Sequence, residues 1–214
     1  MRDWKLEVLP VGPLQMNAVL LTAPAEAGQP GEAVLIDPGD EAPRLLARIE
    51  AAGCRLVQLL ATHGHFDHIG AAATVQDTWP LPLRCHPADR AFIEHLPQIQ
   101  ESWGFPPGRV PHIVTDLADQ DEIPFAGDRI RVEHVPGHSP GQVMFLLPGH
   151  AIVGDCLFQG SIGRTDLPGG DATALEKSIR ERIYALPDDT VVVPGHGPNT
   201  TVGREKRTNP FVRG

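Results

Sequence analysis

The chain has 214 residues, 18 basic against 27 acidic, and a formal charge of −9. Hydrophobic residues at 41% and charged residues at 21% place it among ordinary globular proteins with a sizeable core, not among disordered chains. The acidic balance argues against a nucleic-acid surface, and no apolar run reaches the length of a membrane span or of a signal-peptide core. Cys54, Cys85 and Cys156 are too scattered for a disulfide framework, so a cytoplasmic protein without nucleic-acid or membrane partners is expected.

Residues 5–11 partly alternate and read as a strand, followed by strands at Val19–Thr22 and Ala33–Ile36, the last stopped by Asp37-Pro38-Gly39. Asp40 is expected to cap a helix with Pro43 in its first turn, Leu45, Leu46 and Ile49 on its apolar face and Gly53 at its end. Residues 56–60 form a strand that runs into Ala61-Thr62-His63-Gly64-His65-Phe66-Asp67-His68, with a helix expected over Ile69–Val75. Four ligand-type side chains within six positions, on a strand-to-helix connection, point to a metal ion, because neutral imidazole and carboxylate suit zinc, iron or manganese.

A short strand at 83–86 and a helix from Pro87 to about Leu96 follow, then an irregular proline-rich stretch at 97–112 in which Trp103 and Phe105 either line a pocket or dock the loop. The second half reads as a hairpin around Ala126-Gly127, with strands at 123–125 and 128–135, then buried strands at Val143–Leu147 and Ala151–Val153. Asp171 caps a helix reaching Leu186, and Thr190–Val193 is the last strand. Three more ligand types fall at strand ends: His138 in Pro136-Gly137-His138, Asp155 after Val153-Gly154, and His196 in Pro194-Gly195-His196.

The segments THGHFDH, PGHSPG, GDCLF and PGHGP, in that order, resemble the metallo-β-lactamase fold superfamily, and within it the short glyoxalase II-like hydrolases (hydroxyacylglutathione hydrolase-like). Gly160–Asp166 and Arg204–Phe211 also resemble that group. The resemblance implies an α/β fold, an αββα four-layer sandwich of two mixed sheets flanked by helices. It covers one hydrolase domain over 1–214, and only 18 residues follow His196, which implies no separate C-terminal glutathione-binding helical domain.

Carried over motif by motif, the resemblance assigns His63, His65 and His138 to one metal and Asp67, His68 and His196 to a second, with Asp155 bridging. Two divalent transition-metal ions are implied, zinc first, with iron or manganese as alternatives. Asp67 and Asp155 take catalytic roles and Arg164 a substrate-binding one, while Asp37, at the end of a buried strand, is expected either to orient a ligand histidine or to cap the turn. The implied reaction is attack of an activated water on the carbonyl of a small thioester, in the first place a glutathione conjugate such as S-lactoylglutathione. A thiolate leaving group, with a pKa near ~8.5, needs little help from a general acid. Two rivals stay open: a mononuclear iron persulfide dioxygenase using His63, His138 and Asp155, and a non-catalytic metal-binding protein.

Weaker expectations attach to other residues. Cys156 is expected to pack away from Asp155, and His134 either supports His138 or is a satisfied strand histidine. His86, His95, His112 and His150 read as surface or loop residues, and Arg164 either meets an anionic substrate group or pairs with Asp166. Arg204, Lys206 and Arg207 form a basic rim or a solvated C-terminal face.

Overall fold

The computed structural model describes residues 3–26 and 28–214. The first half contributes β1 (Lys5–Val11), β2 (Met16–Ala23), β3 (Gly31–Ile36), α1 (Ala42–Ala51), β4 (Cys54–Leu60), α2 (Phe66–Ile69), α3 (Ala72–Thr78), β5 (Leu83–Arg84), α4 (Arg90–Glu94), α5 (Leu96–Ser102) and β6 (Ile113–Val114). These strands make a six-stranded sheet in the order β1-β2-β3-β4-β5-β6, antiparallel as far as β3 and parallel beyond it. The second half contributes β7 (Glu122–Phe125), β8 (Asp128–His134), β9 (Val143–Leu147), β10 (His150–Gly154), β11 (Leu157–Phe158), β12 (Ser161–Ile162), α6 (Ala172–Ser178), β13 (Val191–Pro194), β14 (Thr200–Thr201) and α7 (Val202–Thr208). Its main sheet runs β14-β13-β10-β9-β8-β7, with β10 and β13 the parallel pair.

Three apolar layers explain why the buried strands carry continuous runs of aliphatic residues instead of alternating ones. Val19, Leu21, Val34, Ile36 and Leu60 face Ile130, Val132, Val143, Phe145 and Val193 between the two sheets. The intervening residues of the same strands, Leu20, Ala33, Leu35 and Leu59, pack outward on Leu45 and Ile49 of α1 and Val75 of α3. On the far side, Met144, Ala151, Val153 and Val192 pack on Leu175, Ile179 and Ile183. The result is helix, sheet, sheet, helix, the αββα sandwich with two mixed sheets. Each fully buried aliphatic side chain is worth roughly 1.5–3 kcal/mol of transfer free energy.

Several local expectations change. Glu41, in a left-handed conformation, precedes α1 in place of Asp40, whose Oδ1 accepts from the Glu41 amide at 2.6 Å. The helix expected over 69–75 is two short ones, α2 and α3, because the amide of Ala71 turns aside to the carbonyl of Pro38 at 2.9 Å. The stretch after His86 is a 3-10 turn at Pro87–Asp89 followed by α4 and α5, so the loop begins at Trp103 and not at 97. The strand at 83–86 shortens to Leu83–Arg84. Asp171 caps α6 through the Ala174 amide at 2.9 Å, but the helix widens to a π turn over Ile179–Ile183. α7 follows an N-cap at Thr201, in a stretch where no helix is expected from sequence. The described residues include no helix long and apolar enough to cross a membrane.

Candidate metal centre

The ligand-type residues hang from the carboxyl ends of strands in both sheets. Asp37 follows β3, His63 follows β4, His138 follows β8, Asp155 follows β10 and His196 follows β13. Backbone hydrogen bonds sew the two sheets together there: Val143 N donates to Thr62 O at 2.8 Å and Asn17 N to Gly195 O at 2.7 Å. The Asn17 side chain adds donations from Nδ2 to Pro194 O at 3.0 Å and Gly197 O at 2.8 Å.

All seven expected residues meet at this rim in three groups that could each hold an ion: His63, His65 and His138; His63, His68 and Asp155; Asp67, His68 and His196. Asp155 lies between the outer two, with its oxygens 3.6 Å from His138 Nε2, 3.4 Å from His68 Nε2 and 3.7 Å from His196 Nε2. His196 Nε2 is 3.2 Å from Asp67 Oδ2.

The outer nitrogens fix the tautomers. His138 Nδ1 donates to the Arg164 carbonyl at 2.8 Å and His196 Nδ1 to the Leu14 carbonyl at 3.1 Å. His68 Nδ1 lies 3.0 Å from Asp37 Oδ2, a carboxylate that can only accept. The Thr62 hydroxyl spends its one proton on Asp37 Oδ2 at 2.7 Å, so at 3.1 Å it must accept from His63 Nδ1. When neutral, each of these four rings therefore turns a lone pair on Nε2 inward; at His196 the Asp67 carboxylate, which can only accept, takes a proton from that nitrogen in the absence of a cation.

That arrangement fits cations. His65 Nδ1 stands 3.1 Å from His63 Nε2 and 2.9 Å from His138 Nε2, and it can give a proton to only one of them. A cation at the centre would satisfy all three. His68 Nε2 and Asp155 Oδ1 are buried with no hydrogen-bond partner among the described residues. A Cβ on Gly195 would strike Asp155 Oδ1 and come within 2.6 Å of His68 Cε1, so only glycine leaves this space open.

Electrostatics divide the two sets. Burial, reinforced by His68 and the other rings, holds His63 well below the usual imidazole range; burial and His138 push His65 down to about 4. His63 and His65 are thus neutral and ready to ligate. Burial opposes charge on His68, yet Asp155, Asp37 and Asp67 together raise its pKa well above normal. Burial likewise opposes ionisation of Asp67 and Asp155, but the neighbouring histidines, His68 foremost, hold both carboxyls low. In the second set a proton does what a cation would do, and it must leave for a metal to enter.

The rim opens on a cleft of about 460 Å³ walled by Phe92, Ile99, Trp103, Leu167 and Pro168, with His65, Asp67 and Asp155 on its floor. Arg164 lines it too, paired with Asp166 by two hydrogen bonds of 2.7 Å and lying 5.9 Å from the Trp103 ring.

The sequence matches the Metallo-beta-lactamase superfamily over residues 11–196. The chain belongs to this superfamily. It is 38% identical to a Haemophilus influenzae protein named hydroxyacylglutathione hydrolase GloC, covering 97% of each chain. Among solved structures it resembles BLEG-1, titled a B3 metallo-beta-lactamase, at 38% identity and a TM-score of 0.86, covering 98% of this chain and 100% of that one. It also resembles TTHA1623, solved in a di-iron-bound form, at 42% identity and a TM-score of 0.84, covering 96% of this chain and 100% of that one.

Within this superfamily member the lesser expectations sort as follows. Cys156 packs into the outer core with Sγ directed at Val135 O, and burial pushes its thiol pKa up, so it is not placed to ligate. His134 shares no hydrogen bond or ring contact with His138 among the described residues. It stacks on His86, with ring centroids 4.2 Å apart, and its Nε2 reaches Pro140 O at 2.9 Å. Lys206 and Arg207 reach Asp188 in place of forming a free basic rim. The cleft takes Trp103 but not Phe105, which packs on Phe66 at 5.2 Å. Sequence reasoning missed Thr62, Leu14 and Phe92. A threonine beside His63 is visible only once its proton is traced, and the Leu14 carbonyl carries no side-chain signal.

Proposed function

We propose that the protein is a metal-dependent hydrolase of small thioesters of the hydroxyacylglutathione type, acting as one domain over 1–214 with two divalent transition-metal ions. His63, His65 and His138 would hold the first ion, Asp67, His68 and His196 the second, and Asp155 would serve both. The observation that carries this reading is the position of Asp155 between two complete ligand sets. Ions bound there would lower the pKa of a shared water and polarise the substrate carbonyl. Zinc suits a set of five imidazoles and two carboxylates, as do iron and manganese.

The chain's own residues supply the rest. Phe92, Ile99, Trp103 and Leu167 would shield the acyl thioester from bulk water. Asp67 and Asp155 stay ionised near neutrality and keep negative charge on the cleft floor. Arg164 would meet a carboxylate on the thiol half of the substrate, exchanging one of its bonds to Asp166. The resemblance to the protein named hydroxyacylglutathione hydrolase GloC supports the substrate class. The described cysteines are free and buried, in keeping with a reducing cytoplasm.

The test gives purified protein of measured metal content S-lactoylglutathione and, separately, glutathione persulfide. Thiol release from the first, lost in Asp155→Ala, is expected. Oxygen uptake with the second and no thiol release from the first would assign the dioxygenase chemistry instead. Absence of both activities after metal reconstitution would favour a metal-binding protein without catalysis.

A further inference from the structure

Asp89 lies outside every motif that marks the metal centre, yet its carboxylate joins two of them. It is fully buried at the end of the 3-10 turn before α4. Oδ2 accepts from the Gly64 amide at 2.9 Å and from the Ser139 hydroxyl at 2.7 Å. Oδ1 accepts from the Gly141 amide at 2.6 Å. Gly64 separates His63 from His65, and Ser139 and Gly141 follow His138. One carboxylate thus fixes both loops that carry the first ligand set, and among the described residues it hydrogen-bonds to no ligand of the second.

The approach is close enough to dictate the neighbouring sequence. A Cβ on Gly64 would lie 2.9 Å from Asp89 O, and one on Gly141 would lie 2.7 Å from Asp89 Oδ1. No ion pair to Asp89 occurs among the described residues, and Arg90 beside it turns to Glu94 at 3.1 Å. A buried carboxylate without a cation is costly unless donors surround it, and here three neutral donors do so. Asparagine has the same shape, but its NH2 group would face at least one of those donors.

We infer that Asp89 is a positioning residue for the first metal site, holding His63, His65 and His138 at one mutual geometry through the two loops and leaving the second site to other supports. This rests on the proposed two-metal reading. It predicts a site-selective loss of affinity, which general destabilisation would not produce.

The experiment titrates Zn2+ into metal-free protein by calorimetry in two backgrounds. His196→Ala leaves the first ligand set intact and His65→Ala leaves the second. Adding Asp89→Asn is expected to weaken Zn2+ binding tenfold or more in the His196→Ala background and less than about twofold in the His65→Ala background. In the first background the visible absorption of bound Co2+ is also expected to shift. Equal weakening in both backgrounds, or none in the first, overturns the inference while the proposed function stands. If Asp89→Asn does not fold, Ser139→Ala removes one of the three bonds and is expected to cost about fivefold, in the first background alone; no such selective loss would overturn the inference. Wild-type protein that takes up no divalent ion overturns this inference and the proposed function together.

Discussion

Asp37 and His68 face each other at 3.0 Å in the buried interior of the sheet end, carboxylate Oδ2 to imidazole Nδ1. The same Oδ2 takes the Thr62 hydroxyl proton, and Thr62 in turn takes the proton of His63 Nδ1. A single carboxylate therefore sets the tautomer of one histidine in each ligand set. Asp37→Asn is expected to weaken both sites, by about 10- to 100-fold in metal affinity. Zn2+ competition against a chromophoric chelator measures this, and loss at one site alone would contradict the shared role.

Gly195→Ala tests the space between Asp155 and His68. The added methyl would displace the carboxylate from the position it holds between the sets. Thioester turnover is expected to drop on the order of 100-fold, with loss of the second metal. Full activity with two ions per chain would show that the cradle can relax.

Trp103 is half exposed at 48%, stands against Phe66 and lies beneath the Arg164 guanidinium. Among the described residues it has no hydrogen bond or ring contact to a ligand residue. Trp103→Ala is expected to raise KM for a thioester about tenfold with kcat within about twofold, since it removes substrate contact that does not change in the transition state. Steady-state kinetics decide, and a fall in kcat at constant KM would assign Trp103 to the chemistry instead.

The His86–His134 stack gives a pH prediction away from the metal centre. Burial first, and then His134, lower the pKa of His86 below its ordinary value, and its Nδ1 accepts from the Ala88 amide at 3.3 Å. The unfolded chain therefore binds this proton more readily than the folded one. The stabilisation is present above pH ~6.5 and is lost as pH falls through the folded pKa. His86→Phe, which keeps a ring against His134 and removes the titrating group at position 86, is expected to narrow the Tm difference between pH 7.5 and pH 5. An unchanged difference would place the acid sensitivity elsewhere.

Much of this was legible in the residues, for identifiable reasons. Strands buried on both faces announce themselves as aliphatic runs, so β2, β3, β4, β9 and β10 were placed within a few residues. The metal ligands sit at their ends, where short Gly- and Pro-rich turns expose them. What sequence could not show were interactions that depend on folding across the sandwich. Asp89 is a lone acidic residue in His86-Pro87-Ala88-Asp89, and nothing in that tetrapeptide says that Gly64 and Gly141 converge on it. The splitting of the helix after His68 depends on Pro38, some 30 residues earlier, claiming the Ala71 amide. Local propensity cannot anticipate that contact.

His65 differs from the other four histidines in one respect. Their outer nitrogens are each held by an oxygen of the chain, whereas His65 presents Nδ1 inward and has no such anchor among the described residues. Its ring is instead braced edge-on by Phe92, 5.4 Å away, a side chain of the cleft wall. The ligand set and the substrate pocket thus share a wall in which one ring leans on the other. A bulky acyl group pressing on Phe92 would be felt at the metal, and a change of ion would be felt in which acyl groups fit.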